Sequence, residues 1–246
     1  MRLRYFPDLR ARLSVHFHTL RRVLSSRSSA RSWMWSRVGP PQGCFHTANN
    51  TKADRFPAVF REVGDRLGAL EACRVLSFGC STGEEVFSLR KHLPRTEIVG
   101  IDINRSSIAQ AKRAWSNAGA DPRISFHAAS SSASEPSQSF DAILAMTVFC
   151  SGQLQLVQPE SCAKVLSFAA FDAEIARFAE RLKPGGLLIV GNANFRVDDT
   201  SVANEFMLLK RLGEDAVPGL RRPIYGPDER LLVGVSDRGA IYCRVG

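Results

Sequence analysis

The chain has no cysteine pair at CxxC spacing, and its five histidines stand at no ligand spacing from its six cysteines (44, 73, 80, 150, 162, 243), so no zinc site is expected. Scattered cysteines in a chain of this length read as buried free thiols in a reducing compartment. No apolar run approaches the ~20 residues of a membrane span, and no apolar stretch of signal length follows the N-terminal arginines. The expected location is cytoplasmic. Also missing are the GxGxxG of a dinucleotide site and the lysine of a P-loop, which disfavours pyrophosphate and triphosphate as ligands.

Acidic residues are scarce only at the N-terminus. Residues 1–40 carry nine arginines and one acid, Asp8, so most of the net charge of +9 lies there, leaving 24 basic against 23 acidic residues in 41–246. Attraction to phosphate or anionic lipid therefore belongs to the extension, and a nucleic-acid partner is not expected for the remainder. Phe6, Leu9, Leu13, Phe17, Leu20 and Leu24 recur at helical spacing, predicting an amphipathic helix over 7–25. Packing of its stripe on the domain is the first reading; peripheral membrane contact through residues 1–40 and a cleavable targeting segment are the alternatives. Trp33 and Trp35 dock on the domain or anchor at an interface, and His16 and His18 are read as solvated. The expected division is a basic extension over 1–45 and a catalytic domain over 46–246.

From residue 74 short apolar runs alternate with helical periods, which predicts an α/β fold with a mostly parallel sheet. Strands are expected at 74–78, 97–101, 124–126, 140–146 and 187–190, with helices over about 84–93, after an N-cap at Asn104, over 168–182 and near 200–212. The serine-rich stretch 130–139 reads as a surface loop. Arg230–Val233 and Ala240–Arg244, separated by Ser236-Asp237-Arg238-Gly239, predict a closing antiparallel hairpin.

Gly79-Cys80-Ser81-Thr82-Gly83 follows the first strand, where an open α/β sheet binds its ligand. Glu84 and Glu85 come next. Two carboxylates in a first helical turn suit the helix dipole and repel phosphate, but they attract the amino group and sulfonium of S-adenosylmethionine. Asp102, about 20 residues on at the end of the second strand, can accept from both hydroxyls of a ribose. Cys80 is a small packing residue rather than a nucleophile, and His127 a hydrogen-bonded structural histidine rather than a base. Asn192, Asn194 and Phe195 line the acceptor site or, equally, belong with a capping role for Asp198 and Asp199.

These residues resemble a family. Val75-Leu76-Ser77-Phe78-Gly79-Cys80-Ser81-Thr82-Gly83-Glu84-Glu85 is similar to the first motif of class I methyltransferases, and its Ser-Thr-Gly-Glu-Glu core to the chemotaxis-receptor carboxyl methyltransferases. Gly100-Ile101-Asp102-Ile103 resembles the second motif, Phe140-Asp141-Ala142-Ile143 the fourth strand, and Leu182-Lys183-Pro184-Gly185-Gly186 the turn before the fifth. The resemblance covers about 74–195 and implies a Rossmann-like seven-stranded sheet with helices on both faces. It also implies S-adenosyl-L-methionine held by Gly79, Ser81, Thr82 and Gly83, with Glu84 on the amino group and Asp102 and Ile103 at the ribose end. Asn50-Thr51 followed by Arg55 is similar to the segment with which the chemotaxis enzymes hold the methionine carboxylate.

Two departures bear on the adenine contacts and on the substrate. His127-Ala128-Ala129-Ser130 stands where the family often has Asp or Asn for the adenine amino group, leaving Ser130 or backbone as substitutes. Met146-Thr147-Val148-Phe149 replaces the Asn-Pro-Pro-Tyr type of sequence used on exocyclic amines of bases, which counts against nucleic-acid N-methylation. The expected activity is methyl transfer to oxygen or nitrogen of a small molecule, glycan or protein side chain, with no metal and no assigned catalytic residue. The rival readings are an NAD-dependent oxidoreductase, a silent cofactor-binding or interaction module, and a basic nucleic-acid methyltransferase.

Overall fold

In the computed structural model, Phe45, residues 51–219 and residues 221–246 are described. The predicted N-terminal helix, Trp33, Trp35, His16, His18, Cys44 and Asn50 lie outside them.

The chain runs α1 (Pro57–Leu67), β1 (Arg74–Phe78), α2 (Glu84–His92), β2 (Glu97–Asp102), α3 (Arg105–Asn117), β3 (Ile124–Ala128), β4 (Phe140–Met146), α4 (Gly152–Val157), α5 (Phe168–Arg181) and β5 (Leu182–Gly191). Four strands close it: β6 (Phe206–Arg211), β7 (Arg222–Tyr225), β8 (Leu231–Asp237) and β9 (Gly239–Arg244). A seven-stranded sheet has the order β3-β2-β1-β4-β5-β9-β6, and β7 and β8 form a separate two-stranded ribbon. Strands β1 to β5 pair in parallel, and β9 is antiparallel to both β5 and β6.

Alternation along the strands divides the core into two layers. Leu76, Val99, Ile143 and Leu188 face α5 through Phe171, Ile175 and Phe178. Val75, Ile98, Ala142 and Ile189 face α1, α2 and α3 through Phe60, Val63, Leu89, Ile108 and Ala111. Each of these side chains larger than alanine contributes about 1.5–3 kcal/mol on burial. Asn104 caps α3, its Oδ1 accepting from the N–H groups of Ser106 and Ser107 at 3.0 and 3.4 Å, as its position after β2 predicts.

Two expectations need correction. The segment near 200–212 is not a helix: after a short turn, Phe206–Arg211 adds an edge strand to β9, so pairing with a ready sheet edge overrides helical spacing. The C-terminal antiparallel ribbon exists, but its strands are β7 and β8; Gly239–Arg244 enters the main sheet instead. Gly239 dictates that switch, because at φ +114° a Cβ there would lie 2.0 Å from the Val190 carbonyl oxygen. The excursion between β6 and β9 begins and ends at one place, for Leu212 N–H donates to Gly239 O at 2.9 Å.

No helix among the described residues is long and apolar enough to cross a membrane. Cys73, Cys80, Cys150, Cys162 and Cys243 are free thiols, and the first four are buried, as expected of them.

Candidate active site

The carboxyl ends of β1, β2, β4 and β5 form one edge, and the backbone is unusual there. Ser81, Thr147 and Asn192 all adopt positive φ (51°, 62° and 54°) without being glycine. Strained backbone of this kind collects where a ligand must be approached closely.

The turn after β1 is tied to β2 from both sides. Gly79 and Cys80 donate through their N–H groups to Ile101 O at 2.8 and 2.9 Å. The Ser81 N–H donates to Asp102 Oδ2 at 2.9 Å, and the Asn104 N–H to Asp102 Oδ1 at 2.7 Å. Asp102 is thus fixed in direction, with lone pairs remaining on both oxygens. Burial raises its pKa, and the two backbone donors oppose that without cancelling it. Ile103 follows, half-buried, beside the edge strand β3.

Gly79 (φ +76°) leaves no room for a side chain, since a Cβ would meet Val148 at 2.5 Å. Gly83 (φ +94°) opens α2, and its absent Cβ faces Phe87, Phe126 and Ala111 at 3.0–3.2 Å. That glycine is required by the packing of α2 on the sheet.

The two glutamates at the start of α2 differ. Thr82 Oγ1 donates to the Glu84 carboxylate at 2.6–2.7 Å, turning it back over the loop. Glu85 points toward β1, where the fully buried Ser77 hydroxyl donates to its Oε1 at 2.7 Å. Burial pushes Glu85 up to about 7, against the opposing pull of Ser77 and of the Arg55 guanidinium. Arg55 is brought there by the preceding residue, whose N–H donates to Ser88 Oγ on α2 at 3.0 Å. Its guanidinium lies 5.1 Å from the Phe56 ring centroid.

Among the predicted site residues, Gly79, Ser81, Thr82, Gly83, Glu84, Asp102 and Ile103 sit on this edge, and Arg55 reaches it electrostatically through Glu85. Thr51 is half-buried upstream of Asp54. Glu85 was assigned no role of its own by sequence reasoning. The signal available was Ser77, a polar residue in an otherwise apolar strand that needs a partner.

Other predicted features fall outside the site. His127 is exposed on β3, not a hydrogen-bonded structural histidine, because strand alternation turns it away from the buried face of Phe126. Cys80 is buried and its thiol is pushed well above the ordinary range, chiefly by burial, so it stays neutral and packs. Asn194 is fully buried and structural: its Oδ1 accepts from Ser151 N–H at 3.0 Å and its Nδ2 donates to Pro223 O at 2.8 Å. Asn192 donates to Thr147 Oγ1 at 3.3 Å. Asp198 and Asp199 pair with Arg211 and Arg196 instead of capping a helix.

The sequence model of a methyltransferase-domain family matches residues 70–217, spanning β1 to β6 and every glycine and carboxylate of this edge. The chain belongs to the methyltransferase-domain family. Its fold is the Rossmann-like class I arrangement, and the cofactor of that class is S-adenosyl-L-methionine. No curated protein matches the chain. Among solved structures, the methyltransferase is similar to the [4+2]-cyclase SpnF at 25% identity over 54% of this chain and 43% of that one (TM-score 0.41). It is also similar to S-adenosylmethionine-bound CalS10, an amino pentose methyltransferase from Micromonospora echinaspora, at 21% over 57% and 51% (TM-score 0.40). A ribosomal protein L11 methylase from Lactobacillus delbrueckii subsp. bulgaricus matches at 13% over 77% and 79% (TM-score 0.49). The chain spans about half the length of the first solved structures it matches.

Proposed function

We propose that the chain transfers a methyl group from S-adenosylmethionine to oxygen or nitrogen of a small-molecule, glycan or protein-side-chain acceptor. The observation that carries this reading is the opposition of Asp102 and the Glu84–Glu85 pair across the glycine turn. A neutral diol fits the former and a cation the latter, whereas a phosphate fits neither.

The residues fit the cofactor in chemical kind. Asp102 accepts from the ribose hydroxyls, and Ile103 offers an apolar face to the adenine. Gly79 and Ser81 let the chain run close, Glu84 and Glu85 take the amino group, and Arg55 faces the methionine carboxylate. The cofactor supplies an electrophilic methyl on a sulfonium. The S–CH3 bond breaks with its electron pair left on sulfur, and an O–CH3 or N–CH3 bond forms from the acceptor lone pair. Holding the two in line accounts for most of the acceleration. A carboxylate acceptor releases no proton, while an alcohol or ammonium must lose one. Glu84 and Glu85 serve the donor, and His127 lies on the neighbouring edge strand β3 with its side chain exposed, so in this reading transfer proceeds by proximity without a protein base.

Calorimetry of the full chain with S-adenosylmethionine, S-adenosylhomocysteine and NAD tests the donor. Binding of the first two is expected; binding of NAD alone sinks the reading in favour of an oxidoreductase. Labelled methyl appearing in any acceptor excludes a silent module.

A further inference from the structure

A second guanidinium, that of Arg222, acts on Arg55. Arg222 opens β7 on the ribbon, yet its charge is felt by Arg55 and by Cys150, which follows β4 at the edge described above. It forms no salt bridge with any carboxylate of the described residues. Its side chain has one neutral partner, Gln155 Oε1 on α4, at a long 3.5 Å from Nη1. Its Nε is buried with no hydrogen-bond partner at all.

A buried guanidinium N–H left without an acceptor costs more than an ordinary unmade hydrogen bond. The surroundings do not relieve it. Cys150 is fully buried and its thiol is pushed up to about 11, so it brings no negative charge. The frame is rigid: Asn194 donates to Pro223 O at 2.8 Å and accepts through its own carbonyl from Tyr225 N–H at 2.9 Å. The same Asn194 side chain holds the N–H of Ser151, which caps α4 and thereby places Gln155.

We infer that Arg222 is an anion receptor for the second substrate, and that the methyl acceptor is a small molecule carrying a carboxylate that docks on it. This rests on the methyl-donor reading, which assigns Arg55 to the cofactor's own carboxylate and leaves Arg222 for the second substrate. A carboxylate matches the fork of one guanidinium in charge and geometry. A phosphomonoester, with nearly two charges, would need further cations and would meet the repulsion of Glu84 and Glu85.

The test needs no knowledge of the natural acceptor. The full chain, carrying isotope-labelled arginine and saturated with S-adenosylhomocysteine, is titrated with sodium benzoate, benzamide and inorganic phosphate while the arginine Nε–H resonances are followed. The Arg222 signal is assigned by its loss in Arg222→Gln. Benzoate is expected to move that signal in a saturable way at least tenfold more tightly than benzamide does, and Arg222→Lys to keep a weakened response in calorimetry. No saturable response to benzoate, or one equal to benzamide, overturns the assignment. A tighter response to phosphate overturns the carboxylate class. Prior calorimetry with S-adenosylhomocysteine separates the two failures. Absent cofactor binding in a folded protein defeats the donor reading, while the benzoate titration of the same sample still reports on Arg222.

Discussion

The Ser77 hydroxyl donates to Glu85 Oε1 at 2.7 Å, joining the buried end of β1 to the second carboxylate of α2. Burial nevertheless outweighs that bond and the pull of Arg55, and Glu85 sits at about 7 against an ordinary value of 4.5. A cationic amino group set beside it reverses the balance. Cofactor affinity should therefore rise with pH up to about 7, by at most about tenfold per unit, and then level off. Calorimetry across that range reads the slope, and Glu85→Gln should flatten it. A flat profile in the unaltered protein puts the amino group elsewhere.

The same group sets a stability trend in the cofactor-free protein. Its folded pKa is raised, so the folded chain keeps a proton that the unfolded chain has released between about 4.5 and 7. The contribution is complete below about 4.5 and is lost as pH rises through about 7, on the order of 3 kcal/mol. Denaturant melts of the protein and of Glu85→Gln should diverge in that window and run parallel above it.

Asp102→Asn keeps one oxygen and the shape of the side chain but loses the charge that two ribose hydroxyls would face. About 10- to 100-fold weaker binding of both cofactor forms is expected. Asp102→Ala would also untie the N–H groups of Ser81 and Asn104, so its melting temperature must be measured alongside. Unchanged affinity in the Asn variant removes Asp102 from the site.

Gly83→Ala is expected to destabilise the protein before any ligand is added. The left-handed backbone alone costs about 1–2 kcal/mol for a residue with a Cβ, and that Cβ lies 3.0 Å from Phe87. A variant that melts normally and only loses cofactor would show that the position faces the ligand.

Glu174 on α5 is buried, and its carboxylate accepts from the Ser132 N–H and Oγ at 2.8 and 2.7 Å and from Ser131 Oγ at 2.8 Å. It pins the loop that leaves β3 next to the expected adenine end. Glu174→Ala should cost about 1–3 kcal/mol, mainly by leaving the Ser131 and Ser132 donors unpaired, since Arg177 is 40% exposed and adds little. Glu174→Gln retains acceptor capacity and should keep more than half of that. Equal melting temperatures for the two variants would deny the pin.

What could be read from residues alone followed from periodicity and backbone chemistry. Strands β1 to β5, the cap at Asn104 and the glycine turn carry their signals locally, and all appear where expected. Glu174 escaped notice because its partners lie about 40 residues away, and the loop it holds looks like any serine-rich surface segment. Arg222 is equally silent: one arginine among many, distinguished only when the fold sets it half-buried beside Gln155 of α4. Residues 206–211 misled for a related reason, since a strand at a sheet edge is chosen by its neighbour β9 more than by its own composition.

The hydrogen bond between Leu212 and Gly239 has a consequence for how such an enzyme changes over time. The excursion that carries Arg222 leaves and rejoins the main sheet at a single point, so its ends are already closed by the framework. Such a segment can lengthen, shorten or be exchanged at small entropic cost, while Asp102, Glu84 and Glu85 stay fixed on the parallel strands and helices. If Arg222 receives the acceptor as proposed, donor and acceptor recognition would occupy separately heritable parts of one chain, and residues 212–238 would be the natural unit to transplant between relatives to alter what is methylated without touching how.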